Sequence, residues 1–106
     1  MIVNRSVTCY IAQMIVGFKH KGLREFYERG TTRGLRSDQT RRIATILADL
    51  DAALGLDDLT RPSLRLHELK GARKGTWAVS VNGPWRITFA DLGDGKFDVL
   101  DLEQYH

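Results

Sequence analysis

From Trp77 onward the chain alternates. Trp77, Val79 and Val81 are apolar at every second position, with Ala78 and Ser80 between them. After "NGP" the same period resumes in Trp85, Ile87 and Phe89, with Arg86 and Thr88 between. A period of two marks strands with one face in a core, and Asn-Gly and Asp-Gly between such runs mark antiparallel turns. The alternation also constrains the pairing. Val81 opposite Trp85 keeps the apolar residues on one face and puts Ser80 and Arg86 on the other. A strict two-residue turn would set Val79 opposite Arg86 and mix the faces, so a three-residue or bulged connection is expected. With 106 residues, there is room for one domain around one modest core.

The rest of the chain fits around this sheet. Leu64 to Leu69 reads as a preceding strand, and "KGARKG" as a basic, Gly-bounded turn. Phe97 to Tyr105 reads as the last strand; Val99, Leu100 and Leu102 are apolar on both parities, which predicts a central position. Earlier, Ile15, Val16 and Phe18 suggest a short strand, and Gly22 to Arg29 a brief helix stopped by Gly30. Ser37 and Asp38 offer N-caps for a longer helix. Ile43, Ile46, Leu47, Leu50 and Leu54 form its core-facing stripe, and Gly55 ends it. "LDDLTRP" reads as a turn or a single helical turn. The expected class is α+β, with two N-terminal helices packed on one face of a mainly antiparallel sheet. Met-Ile-Val occurs at Met1 and again at Met14, where the patterning begins. Residues 1–13 are therefore read as an N-terminal extension, possible to separate from a domain spanning 14–106.

Charge narrows the partners. The net charge is +3, with basic residues concentrated mid-chain and Asp91, Asp94, Asp98, Asp101 and Glu103 near the end. Such a middle suits a polyanion such as RNA or DNA, or an acidic protein surface; a solvated helix face explains it equally well. Cys9 is the single cysteine, which excludes an internal disulfide framework or cysteine metal cluster. His20, His67 and His106 lack carboxylates at ligand spacing, so neither metal nor other cofactor is expected. No run approaches the roughly 18 to 20 apolar residues of a membrane span, and the first residues are too polar for a good signal peptide. A cytoplasmic setting is expected.

Helices over one face leave the other open. Arg86 is predicted to point there, since Trp85 and Ile87 point into the core. His67 and Lys70 lie on the first strand and the turn after it, and Tyr105 and His106 close the chain. There is no nucleophile elbow and no dinucleotide fingerprint, and "GARKG" precedes a strand rather than the helix a phosphate loop needs. Cations, imidazoles and a phenol without a metal suit cleavage of RNA through its own 2′-hydroxyl. That reaction needs a base, an acid for the leaving 5′-oxygen and cations for the phosphorane-like transition state. Each residue also has a plainer reading: His67 as a half-buried strand histidine, Arg86 as a surface cation. Trp77 and Trp85 are read as core.

"LRLHELKG", "GTWAVSVNGPWRITF" and the terminal "QYH", with the opening "MIVGFKHKGLREFYERG", resemble the HigB branch of the RelE/ParE superfamily of toxins. The resemblance covers Met14 to His106. It implies a RelE-like fold and a ribosome-dependent mRNA interferase that cuts messages in the small-subunit decoding site. It also implies a HigA-like helix-turn-helix antitoxin, through which alone operator DNA is contacted. The implied catalytic residues are His67, Lys70, Arg86, Tyr105 and His106, with Arg73, Lys74 and Gln104 as substrate contacts. The family usually ends Asp-Tyr-His, and Gln104 stands where that Asp is; an amide cannot ionise. His106 would carry the terminal carboxylate, an anion that favours its imidazolium. Two other readings stay open: a gyrase-binding toxin of the ParE kind, and a weakened toxin kept as the partner of a DNA-binding antitoxin.

Overall fold

The computed structural model describes residues 15–104. The proposed boundary at Met14, and the side chains of Tyr105 and His106, lie outside the described residues.

Among these residues, helix α1 spans Lys21–Arg29 and helix α2 spans Thr40–Ala52. They precede a four-stranded antiparallel sheet in the order β1 (His67–Glu68), β2 (Thr76–Asn82), β3 (Trp85–Gly93), β4 (Lys96–Gln104). α1 ends as predicted: Gly30 adopts φ 77°, open to glycine at little cost, and its N–H donates to the Phe26 carbonyl. The His20 ring caps the other end, its Nδ1 accepting from the Leu23 N–H at 3.1 Å.

The start of α2 differs from expectation. Neither Ser37 nor Asp38 caps it; Gln39 occupies that position without a side-chain cap bond. Asp38 is instead engaged by Arg36 through two bonds of 3.0 and 3.2 Å. Gln39, fully buried, donates through Nε2 to Asn82 Oδ1 at 2.9 Å. The other end differs too. The helix stops at Ala52 rather than running to Gly55, because Ala53 turns extended. Ala53 takes the buried place after Leu50, and Leu54 is left 77% exposed.

The predicted strand over 64–69 is mostly absent. Pro62–Leu64 is a 3-10 turn and Arg65 is left-handed at φ 50°, so the chain extends only for His67–Glu68. "LDDL" at Leu56–Leu59 is a 3-10 turn, as one of the two predicted forms.

The bulged hairpin is present. Val79 pairs with Ile87 and Ser80 with Arg86, but Asn82, not Val81, lies opposite Trp85. Val81 is the extra residue, buried with the rest of the apolar face. β4 carries a second bulge. Thr88 pairs with Asp101 and Ala90 with Asp98, so two β4 residues, Val99 and Leu100, oppose Phe89. Val99 sits at φ 56° and points outward, 49% exposed. The inward set thereby switches from Phe97 to Leu100 and Leu102. Apolar residues on both parities here report a bulge rather than a central strand. β4 ends the named sheet, though Ile15 and Phe18 bridge to Phe97 and Leu100 in parallel.

One hydrophobic cluster contains Leu23, Ile43, Ile46, Leu47 and Leu50 from the helices and Val79, Val81, Ile87, Phe89, Phe97 and Leu100 from the sheet. Trp77 and Trp85 pack against it, as their alternation predicted.

Candidate active site

The register decides which side chains share the face opposite the core. Ser80, Arg86 and Glu103 lie in one cross-strand row; His67, Ala78, Thr88 and Asp101 lie in the next. Period-two alternation puts both rows on one face. His67 and Arg86 therefore share this face with β2 between them, and both line a cleft of about 620 Å³ with Arg65, Leu66, Ser80 and Trp85 among its walls.

Two anchors hold this cleft. Arg42, on α2, donates through Nη2 to the Ser63 carbonyl at 2.6 Å and the Ser80 carbonyl at 2.9 Å. One guanidinium thus ties the segment leading to His67 to the strand opposite Arg86. The second anchor orients the imidazole. His67 Nδ1 lies 3.0 Å from the Arg65 carbonyl, which can only accept, so the hydrogen bond requires the proton on Nδ1. In the neutral ring Nε2 is then the free base.

Arg86 is mostly buried, its side chain 14% exposed, and its Nη2 lies 3.7 Å from Glu103 Oε1. Glu103 is the most engaged carboxylate of this face. It accepts from Arg73 Nη1 and Nη2 at 2.8 and 2.7 Å, and from Thr88 Oγ1 at 2.6 Å. The Arg73 hydrogen bonds, helped by Thr88 and by the charges of Arg73 and Arg86, hold its carboxyl at about 2, against the burial that opposes ionisation. Glu103 is ionised throughout the physiological range.

The other sequence-predicted residues are placed as follows. Arg73 ends the 3-10 turn Gly71–Arg73, with its guanidinium committed to Glu103. Lys70 and Lys74 flank that turn, both exposed and outside the cleft lining. Glu68 closes the loop by accepting from the Gly75 N–H at 2.9 Å. Gln104 is exposed and pairs with Trp85, which assigns it to the parity opposite Glu103.

The family described as the RelE-like toxin of the type II toxin-antitoxin system HigB matches residues 16–104. The chain belongs to the HigB-like toxin family. An endoribonuclease HigB of Proteus vulgaris is 41% identical over 93 residues, which cover 88% of this chain and 100% of that protein. A HigB-like toxin is one member of a type II pair, so an antitoxin is its partner. Among the described residues no helix is long and apolar enough to cross a membrane.

In this HigB-like chain the sequence reading passed over one residue, Glu103. The sequence pattern points instead to position 104, one place further on, where Gln104 replaces a carboxylate. Glu103 lies directly opposite Arg86 in the β3–β4 register, but the bulge at Val99 hides that register from the sequence.

Proposed function

We propose that this chain is a ribosome-dependent mRNA endonuclease that cuts RNA through the substrate's own 2′-hydroxyl. The observation that carries the proposal is that His67 and Arg86 line one cleft. The name of the Proteus vulgaris relative supports it. The two helices, sharing one core with the sheet's apolar residues, cover one face and leave the other for RNA.

In the reaction, the 2′-oxygen attacks phosphorus while a base takes its proton. The bond from phosphorus to the 5′-oxygen breaks, and an acid returns a proton to that oxygen. The products are a 2′,3′-cyclic phosphate and a 5′-hydroxyl; no water and no metal enters this step. His67 Nε2 is oriented as a proton acceptor. Arg86 neutralises the scissile phosphate, and Lys70, Arg73 and Lys74 supply charge along the strand of RNA. Tyr105 and His106 act beside the leaving oxygen, and Gln104 makes a neutral contact. The message is met in the small-subunit decoding site, in the cytoplasm. The antitoxin is a HigA-like helix-turn-helix protein, and the pair, not the toxin alone, binds operator DNA with a steep salt dependence.

The test is Arg86→Gln, which removes the charge and keeps a shorter, neutral polar side chain. Loss of one preorganised charge partner typically costs about 3 kcal/mol, on the order of a hundredfold in rate. Induction of the variant should permit growth and leave messages intact by primer extension, while antitoxin binding persists. Full toxicity in this variant would refute the assignment.

A further inference from the structure

Glu103 is the junction of two parts of this face that the backbone keeps apart. Arg73 belongs to the basic loop after β1, and Arg86 belongs to β3; the carboxylate of β4 reaches both. Three hydrogen bonds from Arg73 and Thr88 fix the orientation of that carboxylate. Its Oε1 then faces Arg86 Nη2 at 3.7 Å, directly across the β3–β4 register. A planar guanidinium clamped by both its Nη atoms is the most directional way to hold a carboxylate.

The charges matter as much as the geometry. A carboxylate facing Arg86 alone would cancel the cation that a phosphate needs. With Arg73 bound to the same carboxylate, two guanidiniums share one negative charge, and the trio stays cationic. Glu103 is held ionised and already saturated by donors, so it is ill suited to take a proton from the substrate.

We propose that Glu103 is a positioning residue of this toxin: locked by Arg73 and Thr88, it sets the Arg86 guanidinium at the cleft for the scissile phosphate. Arg73 accordingly acts through Glu103, keeping the group cationic. The inference rests on the nuclease reading above, and its test separates the two.

Glu103→Gln, assayed by single-turnover cleavage of a message on purified translating ribosomes, should slow the cleavage step by roughly ten- to a hundredfold. This is the range expected when a reacting group is displaced by about 1 Å. Half-saturation should change by less than about threefold, since bulk contacts to RNA remain. The decisive comparison is made in Arg86→Gln, where adding Glu103→Gln should alter the residual rate by less than about twofold, because the residue it acts through is gone. Thr88→Val, nearly isosteric, removes one hydrogen bond to Glu103 without removing its charge. It should give a smaller loss that also vanishes in Arg86→Gln, and it carries the test if Glu103→Gln folds poorly. Equal losses in both backgrounds, or full-rate cleavage by Glu103→Gln, overturn the inference alone. Full-rate cleavage by Arg86→Gln overturns it together with the nuclease reading.

Discussion

Glu103 makes the stability of this fold depend on acid in a calculable way. Its carboxyl titrates at about 2 in the folded protein against an ordinary 4.5. The folded value is the lower one, so the stabilisation is complete above about pH 4.5 and falls away as pH drops toward 2. At about 1.4 kcal/mol per pH unit, the difference corresponds to about 3 kcal/mol. The Arg73 side chain is 47% exposed, and solvent screens its share, which brings the expected effect to about 2 kcal/mol. The perturbation is Glu103→Gln, which keeps an acceptor for Arg73 and Thr88 but cannot titrate. Urea unfolding of wild type and variant at steps from pH 7 to pH 3 isolates this residue from the other carboxylates, including Asp101 beside it. Wild type should be the more stable by about 2 kcal/mol at pH 7, and most of that gap should close by pH 3. A gap that stays constant across this range, or widens in acid, would refute the electrostatic account of Glu103.

Two further substitutions test the frame around the cleft. Arg42→Met removes the bridge between the Ser63 and Ser80 carbonyls; loss of charged hydrogen bonds of this kind should cost roughly 2 kcal/mol in chemical denaturation. Val99→Asn should raise stability by about 0.5 to 1 kcal/mol, because a β-branched residue at φ 56° is strained and Asn accepts that region more readily; a lower melting temperature would contradict it.

The legible parts of this fold were those with a clean period. The four buried positions Ile43, Ile46, Leu47 and Leu50 follow from helical spacing, and the faces of β2 and β3 from alternation. The bulge between them was forced by the need to keep Val79 and Ile87 on one side. What stayed hidden depended on partners far apart in sequence or on a local backbone turn that no side-chain period reports. Asp38 reads as a cap locally, yet Arg36 claims it and Asn82 reaches it across the fold at 3.4 Å. Leu54 reads as core, but the backbone turns before it and Ala53 fills the place. The strand over 64–69 has a good pattern, but Arg65 in a left-handed conformation breaks it. In the candidate site, chemistry and parity single out His67 and Arg86, which share a cleft. They do not single out Glu103, because its partner Arg73 lies 30 positions earlier and the bulge at Val99 conceals its register opposite Arg86.

The chemistry of the cut ends tests the central claim most directly. Messages cleaved by the purified protein on translating ribosomes should carry a 2′,3′-cyclic or 3′-phosphate upstream of the cut and a 5′-hydroxyl downstream, since the attacking oxygen belongs to the RNA. A 3′-hydroxyl with a 5′-phosphate would mean that water is the nucleophile and would contradict the account. So would uncut messages accompanied by disturbed DNA supercoiling, which would move the target from RNA to gyrase.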